Sequence, residues 1–202
     1  MKEKVIFIFT TLQILFVTCI FAQNTSEQLT YFGRTIIFNK PAHYKELERD
    51  KIYLQRTNSE HVLPTLLRIV LKNNDQNLMI GLVHIPILYE PGNTKQDPGQ
   101  MRDSLRQNLS YLNTMKSEQD TLLSKTRHVK KKHLRATKSD TGFIYQLKLE
   151  TPFLDSYRKC QVLLLHKENV GNCYSYFFYN EGQEKLIDDI IQQNMKILAF
   201  RS

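Results

Sequence analysis

The sequence has no tryptophan, and its 202 residues include only 7 glycines and 3 cysteines. So little glycine argues against nucleotide-cradling loops, which need it for backbone N–H groups to close on phosphate. The usual catalytic signatures are missing as well. No Gly-x-Ser-x-Gly, His-Glu-x-x-His or Cys-x-x-Cys occurs. Acid is in deficit: 20 Asp and Glu stand against 28 Lys and Arg, a net charge of +8. Such a balance favours anionic partners through a weak, salt-screened attraction. Beyond the first 22 residues no stretch is apolar over the ~20 positions that a membrane-spanning helix requires.

The start of the chain is different. Lys2 and Lys4 precede an apolar run from Val5 to Ile20, which exits through Phe21-Ala22. A charged start, an apolar middle and a small residue at the exit predict a signal peptide over 1–22, cut after Ala22. Thr10-Thr11-Leu12-Gln13 interrupts the run and argues against an uncleaved anchor, and Phe16-Val17-Thr18 is unlike the approach to a lipidated Cys19. Residues 23–31 read as a flexible leader and 32–202 as a single domain. The mature chain, with net charge +7, is expected in a periplasm or outside the cell, with no transmembrane span. Asn24-Thr25-Ser26 and Asn108-Leu109-Ser110 match glycosylation sequons, which matter only in a eukaryotic secretory route.

Strand and helix signals then follow in order. Gly33–Asn39 reads as a strand stopped by Pro41, and Tyr44–Ser59 leaves room for a short helix. Arg68–Lys72 and Leu78–Ile85 form a hairpin about Asn73–Asn77. Asp97, Pro98 and Gln100 cap a helix to about Lys116, with Met101, Leu105, Leu109, Leu112 and Met115 on its apolar face. Val129–Ala136 and Phe143–Glu150 read as a strand pair, and Cys160–Tyr179 as a hairpin turning near Val170. A terminal helix is capped by Asn180 with Gln183 behind it and buries Leu186, Ile187, Ile190, Ile191, Asn194 and Leu198.

In the Cys160–Tyr179 hairpin Val162 and Leu164 share one face, and Leu163 and Leu165 the other. Strands apolar on both faces are covered on both. The fold class is therefore α+β: an α/β/α layered sandwich with a largely antiparallel sheet and two main helices. The hairpin holds Cys160 and Cys173 roughly 20 Å apart, beyond the ~7 Å limit for a disulfide, so both thiols are expected free and buried.

The strand ending at Pro41, the middle helix, the Phe143–Tyr179 meander and the terminal helix ending Lys196-Ile197-Leu198-Ala199-Phe200 together resemble the PsbP-like superfamily, which includes DcrB-type exported proteins. The resemblance is one of element order. It implies an exported binding or accessory protein, and it carries no binding residue with it.

Chemistry is thin elsewhere. His43, His61, His84, His128, His133 and His166 are scattered, and His84 and His166 sit in apolar strands as core residues. Cys160 and His166 are too far apart along one strand to act as nucleophile and base. No metal or cofactor is expected. The feature with functional character is the basic run Arg127, Lys130, Lys131, Lys132 and Arg135. Read as an edge strand, it either blocks edge-to-edge aggregation or forms a polyanion patch. The leading expectation is a non-enzymatic binding protein of the cell envelope. Its partner is a protein or anionic envelope component, not nucleic acid, held through this run and the Pro86–Pro98 loop. The alternative is a secreted hydrolase whose active site follows no motif.

Overall fold

Residues 171–179 are all buried, and a strand without a polar face needs cover on both sides. The computed structural model describes residues 35–48, 51–58, 61–87, 108–116 and 126–201. In chain order come β1 (Ile36–Phe38), β2 (Lys45–Glu46), β3 (Ile52–Asn58), β4 (His61–Leu67), β5 (Ile69–Asn73) and β6 (Leu78–Pro86). Helix α1 (108–116), β7 (Arg127–His128) and α2 (Lys131–Thr137) follow. Last are β8 (Thr141–Leu147), β9 (Lys159–Lys167), β10 (Gly171–Tyr179), α3 (Glu184–Gln193) and β11 (Leu198–Phe200).

Among the described residues the main sheet has seven strands in the order β2-β5-β6-β10-β9-β8-β7, and every pairing is antiparallel. Alternate side chains divide into two cores. On one face Ile80, Leu163, Leu165, Cys173 and Phe177 pack with Ile187, Ile190 and Ile191 of α3 and with the β1–β11 ribbon. On the other, Val162, Leu164, Tyr174, Tyr176 and Phe178 pack with Tyr111 and Met115 of α1 and with Leu54 and Leu67 of the β3–β4 ribbon. This is the expected α+β sandwich with a large antiparallel sheet; each cover pairs a helix with a two-stranded ribbon. A Cβ at Gly81 would lie 2.7 Å from Leu67 Cδ1, so the absent side chain lets β4 press onto the sheet.

Several expectations need correction. Tyr44–Ser59 contains β2 and β3, not a helix, among its described residues. The terminal helix stops at Gln193, and Leu198–Phe200 is instead a strand paired with Ile36–Phe38. Buried Ile197, Leu198, Ala199 and Phe200 have no polar side to give a helix. The β9–β10 hairpin is tighter by two residues than the sequence reading: Lys167 pairs with Gly171 across Glu168-Asn169-Val170. Cys160 therefore lies opposite Phe178 and Cys173 opposite Leu165, in different cores, and both are buried and outside any disulfide.

Helix α1 keeps Leu112 and Met115 inward, as expected, but turns Leu109 outward. Asn108, Tyr111 and Met115 are buried while Leu109 is 54% exposed. The choice is set by Asn108, whose Nδ2 donates to Asn169 Oδ1 at 2.8 Å and whose Oδ1 accepts from Asn169 N–H at 2.9 Å. These two bonds pin α1 to the hairpin tip. The residues Asp97 to Leu105 of the expected helix, like the 1–22 segment, lie outside the described residues.

Asn108→Ala leaves both Asn169 groups unpaired and is expected to cost about 1–3 kcal/mol in urea denaturation. Leu109→Ala should stay within about 0.5 kcal/mol. Equal losses would mean that α1 docks by the Leu109 face.

Candidate functional site in the basic corner

The basic run forms a short helix instead of the expected edge strand over Val129–Ala136. As a strand it would spread cations over both faces and bury nothing. Wound at 3.6 residues per turn, it turns Thr137 and half-buried Leu134 inward and leaves Lys131, Lys132, Arg135 and Lys138 exposed. Thr137 Oγ1 donates to the His133 carbonyl at 2.9 Å, and Ser139 N–H closes on the Leu134 carbonyl at 3.0 Å. Lys138 ends the helix in the left-handed region, at φ 55°. The edge of the sheet is only β7.

The five residues singled out from the sequence take different roles. Arg127, on β7, is committed: its guanidinium grips Asp188 of α3 with contacts of 2.6 and 3.1 Å. Lys130 immediately precedes α2, Lys131 and Lys132 occupy its first turn, and Arg135 lies in its last. Among the described residues none of these four has an ion-pair partner. No acid occupies the first turn of α2. Cations at a helix N-terminus oppose the macrodipole, so the placement costs local stability.

Lys131, Arg135 and Lys138 face Lys167, from the end of β9, across an open cleft of about 470 Å³ whose floor includes Leu134. Among the described residues Asp140 is the one acid lining it, and its Oδ2 already accepts the Glu168 N–H at 2.7 Å. On the other flank, His133 Nε2 is buried and finds no hydrogen-bond partner among the described residues. Burial, then the charges of Lys132, Lys130 and Lys196, hold its pKa below the ordinary histidine value. Among the described residues the corner thus gathers more positive than negative charge. Lys167 and Lys196 escape sequence reasoning because only the tertiary fold brings them beside 130–138.

A larger cleft of about 820 Å³, between the β2–β5 edge and β3, mixes Lys40, Lys45, Lys51 and Arg68 with Glu46 and Glu48. Its floor residues Ile52, Leu67, Ile69 and Val70 are almost fully buried, so they offer little surface to a ligand. Charge singles out the smaller cleft. Of the Pro86–Pro98 loop, residues 88–98 lie outside the described residues.

His166 is structural in setting. His166 is buried, with Nδ1 2.8 Å from Asn172 Oδ1 and its ring stacked 4.4 Å from Tyr111. Cys173 is fully buried and its thiol pKa is pushed far up by desolvation, which opposes nucleophilic use. Among the described residues no helix is long and apolar enough to cross a membrane.

No family model, curated protein or solved structure matches the chain. Function therefore rests on the chemistry of the site.

His84 supplies a pH test of the scaffold. Its Nε2 is buried without a hydrogen-bond partner among the described residues, and desolvation lowers its pKa from 6.5 to about 4. The unfolded chain takes up this proton near pH 6.5, whereas the folded chain resists it until about pH 4. Its contribution to stability is full above pH 6.5 and declines as the pH falls to about 4. Relative to His84→Gln, the wild type should lose stability across that window. A difference between the two that stays constant would contradict the buried neutral imidazole.

Proposed function

We propose that the chain is an exported, non-enzymatic accessory protein of the cell envelope. It binds an anionic envelope component at the α2 corner, and its sandwich is of the PsbP-like type. Export, to a periplasm or beyond the cell, follows from the Lys2–Ala22 pattern. The PsbP-like assignment rests on element order: strands first, a middle helix, a meander and a helix near the end.

One observation carries the binding reading: Lys131, Arg135, Lys138 and Lys167 surround a cleft to which the described residues bring a single acid, already hydrogen-bonded. An anionic ligand supplies the negative charge that these cations call for. The one hydroxyl among the lining residues, Ser139 Oγ, is buried against Thr137 Oγ1 at 2.9 Å, so the cationic cleft is suited to holding an anion, not to transforming it.

Binding to immobilised dextran sulfate tests this reading. The mature chain should be retained at low salt and released as screening increases. Lys130→Ala/Lys131→Ala/Lys132→Ala should elute at clearly lower salt with an unchanged far-ultraviolet spectrum. Elution at the same salt would place the anion contact elsewhere and reject the α2 corner.

A further inference from the structure

Building on that reading, we propose that the anionic partner is a phospholipid bilayer surface, on which the outer face of α2 lies while one headgroup phosphate enters the adjoining cleft. The exposed side chains from Lys130 to Lys138 are Lys130, Lys131, Lys132, Arg135, Ala136 and Lys138; five of the six are cationic. Helical winding puts Lys131, Lys132, Arg135 and Lys138 on one outward arc about 10 Å long. That surface is convex. It matches a plane of many anions better than a polymer threaded through a groove.

The cleft supplies the second contact. Arg135 offers a planar fork suited to two phosphate oxygens, and Lys131 and Lys167 flank it as point charges. The surface attraction of each lysine or arginine to an anionic leaflet adds to the next and fades within a Debye length. Large apolar side chains are absent from this face: the exposed ones among the described residues are Tyr53, Ile85, Leu109 and Leu186. Association is therefore electrostatic adsorption without insertion, reversible by salt.

Sedimentation of the mature chain with vesicles tests the proposal. Vesicles of phosphatidylglycerol and phosphatidylcholine in equal parts should carry the protein down at about 0.1 M salt and release it by about 0.5 M. Vesicles of phosphatidylcholine alone should not bind it. Lys131→Ala/Arg135→Ala should weaken binding on the order of 20-fold. Lys45→Ala/Lys51→Ala removes the same charge near the opposite sheet edge and should stay within about twofold. Equal weakening by both pairs would reduce the effect to net charge and overturn the inference. So would abolition of vesicle binding by inorganic phosphate at matched ionic strength, which would make free phosphate the ligand. Dextran sulfate binding that is lost in Lys131→Ala/Arg135→Ala, with no vesicle binding, would overturn the bilayer while leaving the anion site standing. Loss of both partners would reject the site itself.

Discussion

The absence of a polar face on the central strands is the constraint on which the rest of the structure depends. In β10, Cys173, Phe177 and Tyr179 enter one core and Tyr174, Tyr176 and Phe178 the other. A sheet with such a centre stays out of water only if both faces are roofed. The two helix-and-ribbon covers meet this need with segments far apart in the chain. Ile36–Phe38 waits for Leu198–Phe200, and α1 is locked to the tip of the β9–β10 hairpin through Asn108. The basic corner inherits its position from the same constraint. Val129 and Leu134 join the core that α3 covers, which leaves the cations of α2 facing water.

Much of this was legible from local pattern. The alternation of Val162 and Leu164 against Leu163 and Leu165 is enough to call for a sheet covered twice. The Asn73–Asn77 turn is equally plain: Asn73 Oδ1 accepts from Asp75 and Gln76 N–H at 3.1 and 3.2 Å, as turn asparagines do. What failed locally was decided by distant partners. β2 is two residues long and exists through pairing with β5, while β11 is held by β1 at the other end of the chain. Leu109 obeyed the helical period, but the polar anchor Asn108 rotated α1 away from it.

The site was half legible. Composition alone singled out Lys130, Lys131, Lys132 and Arg135, but treating the run as a strand gave it the wrong geometry. Its lack of apolar alternation, together with Leu134 three residues before Thr137, already favoured a helix with a narrow buried stripe. Arg127 shows the opposite limit. Nothing near it in sequence announces Asp188, and the ion pair turns a candidate ligand-binding cation into a tie between the sheet edge and α3. Lys167 became a site residue only through the fold.

Native-state hydrogen exchange along β9 and β10 tests the double-cover account most directly. If both roofs are needed, the Val162–Leu165 and Tyr174–Phe178 amides exchange only through global unfolding, with the full denaturant dependence of the equilibrium transition. Exchange of these amides through a smaller opening, with the sheet still folded after one cover has detached, would contradict it.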